Sequence, residues 1–173
     1  MPRYAKGEYV VHPGQGVCEV GGVVEHSFNG ANRLEYELYP AAGARMRICF
    51  PVDNEDQLRP VVARREALAL VAEMPTMPDD GFSDPKGWAV EEHFMGGLRH
   101  GDCREALRIA KTMYRRMEQQ RSCGKKPKAC YEKIFKMARD RGLLELGIAL
   151  RKSPDEVDAL IEERFAAVAV GAR

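Results

Sequence analysis

Tyr9-Val10-Val11-His12-Pro13-Gly14-Gln15-Gly16-Val17-Cys18-Glu19-Val20 decides the first half of the fold. Strand-forming residues on either side of a Pro-Gly-x-Gly turn signal predict two short antiparallel strands. Working outward, Val23-Val24, Leu34-Glu35-Tyr36-Glu37-Leu38-Tyr39 and Met46-Arg47-Ile48-Cys49-Phe50 carry the same strand formers, and Gly21-Gly22, Asn29-Gly30 and Ala42-Gly43 sit where turns belong. Alternation places Leu34, Tyr36 and Leu38 on one face and the intervening glutamates on the other. One face is therefore wet, which predicts a small half-open sheet or barrel over residues 1–60.

After Pro60 the period becomes that of helices. Arg64–Met74 carries a short stripe of Leu68, Val71 and alanines and stops before Pro75. Residues 75–87 hold three prolines, two glycines and three aspartates, a composition that predicts a linker or surface loop and places the domain boundary there. From Trp88 onward the chain reads as helical. Asp102 is a predicted N-cap for a helix through Met117, with Ala106, Leu107, Ala110, Met113, Tyr114 and Met117 inward and Arg104, Arg108, Lys111, Arg115 and Arg116 on a solvated face. A helix from Pro127 to Arg151 turns Tyr131, Ile134, Phe135, Ala138, Leu143, Leu146 and Leu150 inward, with Gly142 and Gly147 as bend points. Ser153-Pro154-Asp155-Glu156 is a capping box opening a last helix to about Ala167 that buries Val157, Leu160, Ile161 and Phe165, and residues 166–173 are expected to fray. The class is α+β: a β domain over 1–60, a connecting helix and linker over 61–87, and a helical domain over 88–173.

The length of 173 residues allows one ordinary domain or two small ones and excludes a large catalytic barrel. With 45% hydrophobic and 31% charged residues the chain should fold and stay soluble. No apolar run approaches the ~18 residues of a membrane span, and the first ten residues hold no apolar segment of a secretory signal, so a cytoplasmic location is expected. Cys18, Cys49, Cys103, Cys123 and Cys130 are an odd set without a C-x-x-C pair, which predicts reduced thiols. The net charge of +1 hides strong segregation: residues 75–98 carry one basic and five acidic residues, whereas 99–141 carry 14 and 5. A cationic block of that density is a footprint for a phosphate backbone, and the competing reading is a solvated helix face.

The motifs of serine hydrolases, zinc proteases and nucleotide-binding loops are absent. Gly14-x-Gly16 lies between strands with no helix following, so it is a turn. His93, His100 and Cys103 match no standard metal-ligand spacing, and neither a metal nor any other cofactor is expected. His12 and His26 read as structural histidines. Trp88, the single tryptophan, is either a packing residue or an apolar wedge against an unstacked base step.

Taken together these residues resemble the CarD-like (CdnL) family of bacterial transcription regulators. Gly7-Glu8-Tyr9-Val10-Val11-His12-Pro13-x-x-Gly16 is similar to its opening motif, and Ile48-x-Phe50-Pro51-x-Asp53-Asn54 with Leu58-Arg59 to its next segment. Trp88, Gly101-Asp102, the Arg104–Arg116 helix, Ala138-Arg139 and Glu145-Leu146 follow in family order. The resemblance implies a Tudor-like domain that binds the β subunit of RNA polymerase, and a helical domain that meets promoter DNA near the upstream edge of the −10 region. There a tryptophan wedges into the minor groove and stabilises the open complex without catalysis. Arginines that contact polymerase in some members align with His26 and Cys49, so the polymerase-contact candidates are His26, Arg33, Arg45, Arg47 and Cys49. The DNA candidates are Trp88 as wedge and Lys86, Arg99, Arg104, Lys125, Lys126, Lys128, Lys133 and Lys136 as phosphate contacts. Directly after Trp88 the family tends to be basic, whereas Ala89-Val90-Glu91-Glu92-His93 is acidic. The alternative is a polymerase-binding interaction module without DNA contact. A monomer acting in the cytoplasm at the nucleoid is expected.

Overall fold

The computed structural model describes residues 1–28, 31–43 and 46–171, so the Asn29-Gly30 turn and Arg45 lie outside the described residues. Two compact units, Met1–Val61 and Val62–Arg173, divide the chain. The first holds strands β1 (Tyr9–His12), β2 (Gly16–Phe28), β3 (Ala31–Pro40), β4 (Ile48–Pro51) and β5 (Arg59–Pro60), paired antiparallel in the order β4-β3-β2-β1-β5. The second holds helices α1 (Arg64–Glu73), α2 (Gly87–His100), α3 (Cys103–Ser122), α4 (Ala129–Leu150) and α5 (Pro154–Gly171). The α+β class of the sequence is the class of the structure.

In the sheet, alternation buries Tyr36 and Leu38 against Val10, Cys18, Val20, Phe50 and Leu58, while Leu34, near the start of β3, is exposed. Gly21-Gly22 is not a turn. β2 runs through it, pairing Val20 with Leu38 and Gly22 with Glu37, so Gly21 is the extra residue of a bulge. A Cβ at Gly21 would overlap the Tyr39 ring, so a larger residue there requires that exposed ring to swing aside. The Tyr36 hydroxyl donates to Glu55 Oε2 at 2.5 Å and accepts from the Arg3 and Tyr4 amides at 2.8 and 3.2 Å. Tyr4 in turn donates to the Leu58 carbonyl at 3.1 Å, so the chain ahead of β1 is fastened to the sheet. Burial pushes the Cys18 thiol up to about 11, and it behaves as a small apolar side chain.

The helical unit packs around two apolar clusters. Ala67, Leu70 and Val71 of α1 meet Leu107, Leu143, Leu146, Leu150, Val157 and Ile161, whereas Leu68, expected inward, is exposed. Val90, Phe94 and Leu98 of α2 meet Ala106, Ile109, Met113, Ile134 and Ala138. Asp102 caps α3, accepting from the Glu105 amide at 2.9 Å. The capping box closes as read: the Glu156 amide donates to Ser153 Oγ at 3.2 Å and the Ser153 amide to Glu156 Oε2 at 2.8 Å. Gly142 and Gly147 are points of close approach in one continuous helix. A Cβ on Gly142 would lie 2.8 Å from Leu107 Cδ2, and one on Gly147 2.7 Å from the Lys152 carbonyl.

Several expectations change. α3 extends to Ser122 and α5 to Gly171, and Tyr114 and Phe165 are exposed rather than inward. Residues 75–87 are no linker but part of the helical unit, bound to α3 by the contacts below. Lys111, assigned to the solvated face, is buried.

Candidate functional site

Val90, Phe94 and Leu98 recur every four residues and fix the buried stripe of α2. Trp88 stands two residues ahead of Val90, roughly 200° round the helix, and therefore points away from the core. It is 65% exposed, with the Lys86 ammonium 5.8 Å from its ring centroid. Asp84 accepts from the Lys86 amide at 2.7 Å and fixes the approach to the helix. An exposed tryptophan on a helix N-terminal turn, flanked by a cation, presents an apolar plate to whatever docks there.

The cationic block around it is mostly occupied within the helical unit. Arg104 pairs with Glu73 at 2.5 Å, Arg115 with Asp79 at 2.9 Å, Arg121 with Glu118 at 2.5 Å and Arg139 with Asp158 at 2.6 Å. Arg108 bridges Glu105 at 2.7 Å and Asp80 at 3.2 Å. Arg116 donates to the Asp80 and Phe82 carbonyls at 2.9 and 2.5 Å, its guanidinium over the Phe94 and Tyr131 rings. Lys111 donates to the Pro75 and Met77 carbonyls at 2.8 and 2.5 Å. The acidic segment and the basic helix thus neutralise one another. Among the DNA candidates, Lys133 is bound to Glu91 at 2.5 Å and Arg104 to Glu73, while Lys128 lies 5.5 Å from the Tyr131 centroid. Arg99, Lys125, Lys126 and Lys136 are exposed and have no ion pair among the described residues.

Asp80 is the hub of this network, and sequence reasoning missed it. Its Oδ1 accepts from the Phe82 amide at 2.8 Å, its Oδ2 faces His93 Nε2 at 3.1 Å, and Phe82 stacks on His93 with centroids 4.0 Å apart. Burial works to raise the Asp80 carboxyl, but the Phe82 amide, His93 and Arg108 outweigh it and hold its pKa below the ordinary aspartate value. A carboxyl with a folded pKa below its unfolded value of about 3.9 contributes stability above that pH, which is lost as pH falls through the folded value. Urea midpoints measured from neutral pH into acid should therefore drop, and Asp80→Asn should flatten that drop while lowering the neutral-pH midpoint.

On the first unit, strand register gathers the other candidates. His26 lies opposite Arg33, and Cys49 opposite Glu37. Arg33, Glu35 and Glu37 alternate onto one face of β3, so His26, Arg33 and Cys49 share the sheet's outer face. Arg47 pairs with Glu37 at 2.8 Å, and the two partners hold that end of the surface. His12 has the structural role expected of it: Nδ1 accepts from the Gly14 and Gln15 amides at 3.1 and 3.2 Å, and the ring meets Phe50 edge-on.

Among the described residues no helix is long and apolar enough to cross a membrane. No curated protein matches the chain. The family profile described as the CarD-like/TRCF RID domain matches residues 4–62, which span the five-stranded sheet and its N-terminal fastening. That domain type is an interaction module rather than a catalytic one, and a Tudor-like β fold accords with the sheet described above. Residues 4–62, about a third of the chain, are thus similar to the RNA polymerase-interacting domain of CarD-like proteins, and the match supports a transcription-related role for this unit.

Proposed function

We propose that this protein is a transcription regulator that binds the β subunit of bacterial RNA polymerase through its sheet and promoter DNA through its helical unit, near the upstream edge of the −10 region, stabilising the open complex. The observation that carries the DNA half is Trp88, 65% exposed at the start of α2 with Lys86 beside it. A side chain that inserts beside an unstacked base step binds the melted promoter better than the closed duplex, and that differential affinity shifts the equilibrium without chemistry. Arg99, Lys125, Lys126, Lys128 and Lys136 supply the phosphate contacts. Arg104 and Lys133 must first leave Glu73 and Glu91. For polymerase, His26, Arg33, Arg47 and Cys49 offer one polar face, with Arg45 close by in sequence. The protein acts in the cytoplasm, at the nucleoid.

One observation favours a second reading, a polymerase-binding module without DNA contact: much of the basic block is paired with acids of its own unit. Promoter open-complex lifetime separates the two. With wild-type protein it should lengthen, and Trp88→Ala should return it to that of polymerase alone while leaving polymerase binding intact. Loss of one stacked aromatic amounts to about 1–3 kcal/mol, and about 1.4 kcal/mol is tenfold in lifetime. An unchanged lifetime despite polymerase binding establishes the second reading.

A further inference from the structure

The outer face of β2, β3 and β4 brings together three unlike donors. His26, Glu35 and Cys49 each offer one ligand atom, and these atoms lie within 4.8 Å of one another. The arrangement follows from register: Glu35 is one step along its face from Arg33, the partner of His26, and one step from Glu37, the partner of Cys49. Three adjacent strands therefore each project one donor toward a common point.

Glu35 makes that point unusual. Its side chain is only 20% exposed, yet no hydrogen bond reaches its carboxylate among the described residues, and His26 Nε2 stands 4.0 Å away, beyond hydrogen-bond range. A largely covered carboxylate wants a cation. The neighbouring Glu37 is already taken by Arg47 at 2.8 Å, and Arg33 makes no ion pair among the described residues. Glu35 is thus the carboxylate left available for a ligand.

We propose that His26, Glu35 and Cys49 bind a zinc ion on this face. A thiolate, an imidazole and a carboxylate form a mixed borderline set that suits Zn²⁺ and not Mg²⁺ or Ca²⁺, which take oxygen ligands. Bond lengths of about 2.0–2.3 Å put tetrahedral donors about 3.3–3.8 Å apart, so rotation of the exposed His26 and Cys49 side chains closes the site. Thiolate and carboxylate neutralise the ion's charge. Three protein ligands leave a fourth position for water or for a donor from another molecule.

The test uses the reduced full-length protein and Co²⁺ as a spectroscopic probe, with Zn²⁺ in competition. One equivalent of Co²⁺ should bring visible bands of tetrahedral intensity and a near-ultraviolet thiolate charge-transfer band, both removed by Zn²⁺. Cys49→Ser should abolish the charge-transfer band, whereas Cys123→Ser and Cys130→Ser should retain it. His26→Ala should weaken Zn²⁺ binding by more than the roughly 10–100-fold that follows loss of a ligand's hydrogen-bond partner. His26, Cys49 and Cys123 are exposed and Cys130 is half-buried against the helical core, and circular dichroism verifies that each variant is folded. Absence of stoichiometric uptake, or a thiolate band that survives Cys49→Ser, overturns the proposal. Polymerase takes no part in the assay, so the outcome is independent of the function proposed above.

Discussion

Lys111→Met lowers the stability of the helical unit by roughly 2–4 kcal/mol, seen as a lower urea midpoint at unchanged slope. Lys111 is 3% exposed on α3, and its ammonium donates to the Pro75 and Met77 carbonyls. Methionine keeps most of the stem and removes the donor. Each buried carbonyl left without one costs about 1–3 kcal/mol. Part of that is offset, because burial, with Arg115 nearby, already holds the lysine pKa below its usual value against the opposing pull of Asp79. The residue closes the turn after α1 onto α3, so the loss is concentrated where that turn is held. A midpoint equal to wild type would show that the two carbonyls are satisfied without the ammonium.

Phe94→Ala is expected to cost about 3–5 kcal/mol, the range for emptying a buried aromatic site. Phe94 is 1% exposed, edge-on to Phe82 and His93 with centroids 6.4 and 4.8 Å away, and 5.3 Å from the Arg116 guanidinium. Truncation therefore opens a cavity and also removes the surface on which Phe82 rests. Residues 75–87 should loosen before the helices melt. Limited proteolysis should show cleavage in that segment at denaturant concentrations where helical circular dichroism is still native. Cleavage that coincides with global unfolding would mean that the polar contacts of Asp80 and Arg116 hold the segment by themselves.

These two residues mark where the sequence was and was not legible. The strands, the Asp102 cap and the Ser153–Glu156 box could be read because each is decided by neighbours within a few positions. Phe94 lies in a helix whose i, i+4 spacing announces its buried face. Lys111 sits four residues after Leu107, on the apolar stripe of α3, but its burial depends on carbonyls more than thirty residues earlier. The segment 75–87 misled for a related reason: its prolines, glycines and aspartates report missing regular structure, not missing packing. Gly21-Gly22 has the composition of a turn, and only the pairing of β2 with β3 shows it to be a bulge. Trp88 was legible as a candidate. Its exposure follows from helix phase once Val90 is known to be buried.

The outer-face candidates were found through their resemblance to polymerase-contacting arginines, and the register explains why they sit together. That resemblance offered no view of Glu35, whose importance comes from being largely covered while its carboxylate accepts no hydrogen bond among the described residues.

The bulge at Gly21 also sets the phase of everything after it on β2. A one-residue slip that paired Gly21 with Glu37 would turn His26 toward the inner side and bring Glu25 outward in its place. The exterior chemistry of this strand is thus stored in a reading frame as much as in its letters. A lineage could exchange a histidine surface for a glutamate surface by a single insertion or deletion, leaving every other residue of the strand unmutated.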